Sequence, residues 1–398
     1  MNSLTFPLRV GVICDLLEER WPSMDLLAEM LLGNLHEHHA DEVTAVRLRP
    51  EFAAKLSRIP KLGEKKASSN AERLFNRFWS YPRWLDSQLE NFDLFHIIDH
   101  SYAHLAHRLP AGRVIINCHD LDTFRCLIEP GQDRRSLPFR AMTRHILAGF
   151  KRAAKLVCVS SATRDEVLAY NLVTPDRVEV VHNGTDPACS PDPNPSADRE
   201  AAKLLVGEGI YLVHVGSTIP RKRIDVLLEA FAAVRRDFPG VRLIRVGGPF
   251  TEAQAAHAAR LGLTDAVLKL PFLDRNTLAA VYRRAALLLQ PSEREGFGLP
   301  VLEAMACGTP VLASDISALR EVGAAGASFC GVGDVPGWTE SISKLLRERS
   351  DAPQLWRERC ARSINAAAKF SWSENARRTT ELYRAVALSS ERAPVDSR

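Results

Sequence analysis

An α/β chain built from two doubly wound, Rossmann-like domains is the architecture the sequence predicts, and three observations predict it. Short apolar, branched runs alternate with longer helical patterns through most of the length. That alternation is run through twice. The chain also has 398 residues, too many for one ordinary core, so two domains of roughly 180 to 200 residues is the natural division. Continuous apolar strands followed by helices mean parallel sheets covered on both faces. Two such domains facing across a hinge are expected to bring the carboxyl ends of both sheets around one interdomain cleft, where ligands of such sheets bind.

In the first half the expected strands are Arg9–Cys14, Val43–Leu48, Leu94–Ile98, Val114–Cys118, Leu156–Val159 and Val178–Val181, with helices near Met24–His36, Pro138–Ala153 and Ala162–Ala169. In the second half they are Tyr211–Val215, Arg242–Val246, Val267–Leu270, Ala286–Leu289 and Val311–Ala313. Helices near Ile224–Val234, Glu252–Arg260, Asn276–Arg284, Leu299–Cys307 and Trp338–Glu348 separate them. Between the halves, Ser190-Pro191-Asp192-Pro193-Asn194-Pro195-Ser196 can continue neither kind of element and is the expected hinge. The domains are then residues 1–190 and 197–372. A last helical pattern, about 373–390, is expected to cross back onto the first domain, and Glu391–Arg398 reads as a disordered tail.

Composition narrows the function classes. The chain is 46% hydrophobic and 25% charged with a net charge of +4, so nothing indicates a globally basic nucleic-acid binder. Eight cysteines (Cys14, Cys118, Cys126, Cys158, Cys189, Cys307, Cys330 and Cys360) include no C-x-x-C pair. Several lie in apolar strands, as buried free thiols of a reducing compartment do. The N-terminus runs from Leu8 into its strand without a basic region and a long apolar one, which argues against a signal peptide. No run approaches 18 apolar residues. A cytoplasmic protein is expected.

The segment from Leu287 to Val311 carries the strongest chemical signal. An apolar strand runs through Pro291-Ser292 into a loop with Glu295-Gly296-Phe297-Gly298; a helix then opens at Leu299, carries Glu303 one turn in, and stops at Cys307-Gly308. Glycines let backbone approach a ligand closely, and the helix start offers unpaired N–H groups to an anion. About one turn inside the helix, Glu303 can reach back over the same mouth. Read alone, any two acids at this spacing are more often a solvated helix face; here strand, acid, Gly-x-Gly, helix and Gly-Thr-Pro follow in order. Arg221 and Lys222, after the strand Tyr211–Val215, can neutralise a diphosphate or form a solvated basic turn. His119, ending the strand Val114–Cys118, can present an imidazole to a ligand or serve as a cap or core residue. Asn183-Gly184 reads as a positive-φ turn, and Gly247-Gly248 as a tight turn after a strand.

The segment resembles the signature of the retaining glycosyltransferases of family 4 (group 1), whose members have the two-domain GT-B fold. The likeness extends over essentially the whole chain, through Val215-Gly216-Ser217-Thr218-Ile219-Pro220-Arg221-Lys222-Arg223, Val246-Gly247-Gly248, Pro291-Ser292, Glu295-Gly296-Phe297-Gly298 and Glu303-Ala304-Met305-Ala306. In the first half it rests on His119-Asp120, Val159-Ser160 and Asn183-Gly184. The resemblance implies a UDP- or GDP-linked sugar as donor, no further cofactor, and no metal. It implies that Arg221 and Lys222 meet the donor's phosphates with Gly216, Ser217 and the amides from Gly298 and Leu299. Many relatives have an Arg directly after the residue corresponding to Gly216, where this chain has Ser217, so Arg221 would supply the guanidinium. It further implies Glu303 on the ribose, Gly248 and Pro271 near the base, and Glu295 with the Gly296 and Phe297 amides on the sugar hydroxyls. His119 would contact the transferred sugar. Asp120-Leu121-Asp122 matches the D-x-D of metal-dependent transferases but follows the wrong motif and is discounted.

The loop after the first strand lacks G-x-G-x-x-G, and its Trp21, Ser23 and Asp25 are expected to shape the acceptor pocket. Between 55 and 84, Lys55, Arg58, Lys61, Lys65, Lys66, Arg73, Arg77 and Arg83 mix with Phe75, Phe78, Trp79, Tyr81 and Trp84; Arg140, Arg144, Lys151 and Arg152 form a second basic stretch. Such mixtures are most often a solvated face over an aromatic core side, and otherwise suit an anionic membrane surface or a lipid-linked acceptor. The function expected is front-face transfer of a hexose, mannose ahead of glucose, to a glycan, lipid-linked or other hydroxyl acceptor in surface polysaccharide or glycolipid synthesis. The leaving phosphate oxygen would take the acceptor proton. A sugar-nucleotide epimerase of the same fold and a silent nucleotide-sugar sensor are the alternatives, and the missing glycine fingerprint disfavours a dinucleotide oxidoreductase.

Overall fold

The computed structural model describes residues 7–19, 21–53, 66–131, 133–205 and 209–392. Lys55, Arg58, Lys61 and Lys65 of the basic stretch, and the tail beyond Arg392, lie outside the described residues. The chain forms two compact units, Met1–Gly184 with Trp372–Arg398, and Thr185–Ser371.

The first unit is built on a six-stranded parallel sheet in the order β2-β1-β3-β4-β5-β6. Its strands are β1 (Leu8–Ile13), β2 (Val43–Leu48), β3 (Leu94–Ile97), β4 (Val114–Cys118), β5 (Lys155–Cys158) and β6 (Val178–Val180). Alternate residues of one strand enter different cores, as a sheet covered on both faces requires. Val10, Val12, Ile115 and Val157 pack under the helices Pro22–His38 and Trp372–Arg392, whereas Ile97, Ile116 and Leu156 pack with Tyr81, Tyr102 and Phe150 on the other side. The final helix is anchored by more than apolar contact. Tyr383 Oη lies 2.7 Å from His96 Nδ1, and His96 Nε2 lies 2.8 Å from Asn117 Oδ1, so a buried polar chain ties it to β3 and β4.

The second unit repeats the plan in the order β12-β11-β10-β7-β8-β9. Its strands are β7 (Tyr211–Val215), β8 (Arg242–Val246), β9 (Val267–Leu270), β10 (Leu287–Gln290), β11 (Val311–Ser314) and β12 (Ala327–Cys330). The helices Ile224–Asp237 and Val335–Asp351 bury Leu227, Phe231, Trp338 and Ile342 against Leu212, Leu243 and Leu287.

Three features differ from expectation. The prolines at 191–195 sit inside the second unit: Pro195 opens the helix Pro195–Leu204, which Asn194 caps through Ala197 N–H, and Arg283 donates to Ser190 O. Pro belongs at the first turn, where its missing N–H has no helical partner to lose. Neither Asn183 nor Gly184 is among the described residues with positive φ, so that pair is not the turn expected. Finally, β12 and the helix Pro353–Ala367 were not anticipated; β12 is short and its burial is only partial, so it has no apolar run to announce it.

Candidate active site

β10 ends on Gln290, one residue beyond its expected limit, and this shift places a polar side chain at the carboxyl end of an apolar strand. Gln290 Nε2 and Ser292 Oγ both donate to Glu295 Oε1 at 2.7 Å. The loop following β7 closes the cluster from the other side. Its turn Pro220–Lys222 brings Lys222 Nζ to 2.6 Å from Glu295 Oε1 and Arg221 NH1 to 3.1 Å from Oε2. Arg221 also donates to Arg294 O at 2.8 Å, while Glu293 N–H donates to Arg221 O. Two loops are thereby locked together around one buried carboxylate. Burial alone would raise the Glu295 pKa, but the Lys222 ammonium and Arg221 guanidinium outweigh it and hold the group at about 2. The neighbouring Arg223 takes no part: its φ of 48° turns the chain, and its side chain pairs with Asp225.

The helix Leu299–Ala306 begins directly beyond this cluster, capped by Gly298 at a φ of +103°. Pro300 has no N–H and the Val301 N–H donates to Gly298 O, so what the helix start offers an anion is chiefly its positive dipole end. Glu303 accepts a 2.9 Å hydrogen bond from Tyr282 Oη. Burial, reinforced by the Asp186 carboxylate and opposed by Tyr282 and Arg275, raises its pKa to about 7. Gly216 and Gly247 form the floor beside Lys222. A Cβ on Gly247 would stand 2.2 Å from Gly216 O, so the two loops touch backbone to backbone only because glycine is there. Gly248 (φ +97°) and the exposed Pro271 follow β8 and β9 at the same sheet edge. Gln254 Nε2 donates to Thr218 O at 3.0 Å and braces the Ser217-Thr218 loop.

In this unit the fold gathers Gly216, Ser217, Arg221, Lys222, Gly248, Pro271, Glu295, Gly296, Phe297, Gly298, Leu299 and Glu303 along the carboxyl edge of one sheet, where ligands of such sheets bind. Glu295 is saturated at Oε1 by three donors, an engagement that residue order alone does not reveal. Tyr282 and Gln290 escaped the sequence reading, which named Ser292 in the motif without giving it a role. Gln290 was detectable as the polar end of Leu-Leu-Leu-Gln; Tyr282 was not, because only helix packing aims it at Glu303.

The first unit carries its own cluster. The strand order reverses direction between β1 and β3, and Asp15 and Asp99 stand just beyond the ends of those strands. Asp15 is buried and neither of its oxygens has a conventional donor. Burial, and then the Asp99 charge, raise its pKa well above the carboxylate range. Asp99 holds at about 2: burial opposes ionisation, but His100, His119 and the Ser101 donors prevail. His119 Nε2 lies 2.7 Å from Ile98 O, which makes it the protonated nitrogen, and burial lowers the imidazole pKa. Asp120 Oδ1 accepts from Asp122 N–H at 3.0 Å and lies 3.8 Å from His100 Nε2, so it caps a turn. Trp21 precedes the helix Pro22–His38, is 55% exposed, and donates to Glu19; Asp25 pairs with Arg49 at 2.5 Å, and Ser23 lies between them. Among the described residues no helix is long and apolar enough to cross a membrane, and no group of three or more His, Cys, Asp or Glu is placed to hold a metal.

Both units match known protein families. Residues 197–370 match the family described as glycosyl transferases group 1, and residues 30–188 match glycosyltransferase family 4. A D-inositol 3-phosphate glycosyltransferase of Frankia alni is 34% identical over 267 residues, which is 63% of this chain and 63% of the relative. The chain thus spans less than two thirds of that relative's length. Among solved structures, sucrose-phosphate synthase of Thermosynechococcus elongatus superposes with a TM-score of 0.70 at 19% identity, covering 96% of this chain and 100% of the other. Anabaena HepE in complex with UDP and glucose superposes with a TM-score of 0.69 at 16% identity, covering 95% and 99%. The two family models take in both units and the fold neighbours span nearly the whole chain, so the chain belongs to the group 1 glycosyltransferases of the GT-B fold.

Proposed function

We propose that the protein transfers a hexose, with retention and without a metal ion, from a UDP- or GDP-linked sugar to a hydroxyl of a glycan or lipid-linked acceptor. The observation that carries this reading is the Glu295–Lys222–Arg221 cluster beside the helix opening at Leu299. An ammonium has three N–H groups; Glu295 takes one from Lys222 and leaves others for a phosphate oxygen. Fixed cations and helix amides stabilise charge as it develops on a leaving diphosphate, and removing one such donor costs roughly 100- to 1000-fold in rate. Glu303 accepts the ribose hydroxyls, and the base lies by Gly248 and Pro271. The Gly296 and Phe297 amides, with the remaining capacity of Glu295, hold the sugar. The leaving phosphate oxygen takes the acceptor's proton, and His119, with its protonated Nε2 committed to Ile98 O, offers Nδ1 as an acceptor for a sugar hydroxyl.

The acceptor belongs on the first unit, at the Asp15–Asp99 edge with Trp21, Ser23 and Asp25 around it. The relatives' name makes a polyol phosphate the first acceptor to try. Trp79 is 54% exposed with the Arg83 guanidinium 3.3 Å over its ring, and Leu74 and Phe75 are exposed nearby. These support peripheral contact with an anionic membrane on the cytoplasmic side. A thermal-shift panel of UDP, GDP, UDP-glucose and GDP-mannose tests the donor reading, since a ligand at 100 times its Kd adds about 2.7 kcal/mol to stability. No shift with any of the four would defeat it.

A further inference from the structure

His214 and Arg245 are register partners in the middle of the second sheet, on β7 and β8, and both are completely buried. A charged residue inside an apolar parallel strand is rare unless paired. Arg245 NH1 donates to Gly248 O at 3.2 Å, but its Nε and NH2 have no partner, and among the described residues no carboxylate pairs with it. Neither ring nitrogen of His214 has a partner. Burying an uncompensated guanidinium costs several kcal/mol even after relaxation. Among the described residues no acidic group repays that cost.

The two side chains lie under the glycine floor described above. A Cβ on Gly247 would be 3.1 Å from Arg245 NH1, and a Cβ on Gly216 would be 3.6 Å from both His214 Cε1 and Lys222 Cε. Burial, then Arg245 and Lys222, hold His214 far below the usual imidazole range, so it adds no charge. Arg245 itself, lowered by burial to about 10, stays charged near neutrality. Arg245 thus adds a buried positive charge beneath the site where Arg221 and Lys222 meet Glu295.

We propose that Arg245 is a positioning residue of the donor site, a third cation whose buried charge fits the Gly216–Gly247 floor to an anionic ligand, the diphosphate of a nucleotide sugar. This rests on the donor reading above and deepens it. Arg245 acts through the floor, by its field and by its hold on Gly248. In a dry, low-dielectric setting a unit charge several ångströms away still changes affinity by about 10- to 30-fold.

Arg245→Met and Arg245→Lys test the proposal. Affinities for UDP, GDP, pyrophosphate and the uncharged nucleosides uridine and guanosine are measured by calorimetry or competition, with the ligand-free Tm beside them. Arg245→Met is expected to weaken the preferred nucleoside diphosphate and pyrophosphate by about 10- to 30-fold and the matching nucleoside by less than threefold. Arg245→Lys should recover most of the loss. The ligand-free Tm of Arg245→Met should be unchanged or higher, because an unpaired buried charge is gone. The proposal is overturned if Arg245→Met binds diphosphates as the wild type does, or if it weakens nucleoside and diphosphate equally with a lowered Tm, the signature of a structural brace. Wild-type protein that binds neither UDP nor GDP would instead overturn the donor reading itself.

Discussion

Lys222 Nζ stands 2.6 Å from Glu295 Oε1, although 73 residues separate the two along the chain. Both side chains are nine-tenths buried. A buried ion pair is favourable only when its remaining lone pairs are met, and here Gln290, Ser292 and Arg221 meet them. The pair is therefore structural and chemical at once.

Breaking it from one side leaves a charge stranded. Lys222→Met and Glu295→Gln should each cost about 3 kcal/mol in urea denaturation and roughly 100- to 1000-fold in turnover. The double variant should regain much of the stability and none of the activity. Strictly additive stability losses would show that the two groups are uncoupled.

Acid should unfold the protein partly through this carboxylate. Glu295 titrates at about 2 in the fold against an ordinary 4.5, so its contribution is present above about 4.5 and is lost as pH falls toward 2. Stability measured from pH 5 to pH 2 should drop more steeply for wild type than for Glu295→Gln. Parallel curves would contradict this.

Glu303 works in the opposite sense. Raised to about 7, its contribution to ligand-free stability is present below about 4.5 and lost as pH rises through 7. An ionised carboxylate accepts two hydroxyls, whereas the protonated acid must donate. Affinity for the preferred nucleoside diphosphate should thus rise between pH 6 and 8, and Glu303→Gln should flatten the profile. A profile unaltered in that variant would remove Glu303 from the ribose.

Gly247→Ala tests the glycine floor. The new Cβ would meet Gly216 O at 2.2 Å with φ at +116°, a strain of at least about 2 kcal/mol. Chemical denaturation should show that loss, accompanied by weaker nucleotide binding.

In the first unit, Asp15→Asn should stabilise progressively with rising pH. The folded acid is held protonated by burial and by Asp99, so its contribution, present below the ordinary carboxylate pKa, is lost as pH climbs through the raised one. A stability difference between variant and wild type that does not grow with pH would show that Asp15 does not titrate in the fold.

Much of this was written locally. Val114–Cys118 and Tyr211–Val215 are strands because continuous branched apolar residues have nowhere to go but a covered parallel sheet. Glu295, Gly298 and Glu303 were visible as a spaced set because the loop and the helix that follows it hold them within nine residues. Ala327–Cys330 was invisible because its strand character comes from pairing with β11 and not from its own residues.

The sequence by itself determined the alternation of buried strands and helices, and with it the edge where a ligand must sit, since hydrophobic periodicity and glycine placement are local properties. It also determined that Arg221, Lys222 and Glu295 would be present. Only the tertiary structure decided that the two cations close on that one carboxylate, that Tyr282 turns Glu303 inward, and that Arg245 lies beneath with no counter-charge among the described residues. The reason is that charge pairing and desolvation depend on distances between segments, which no local pattern along the chain encodes.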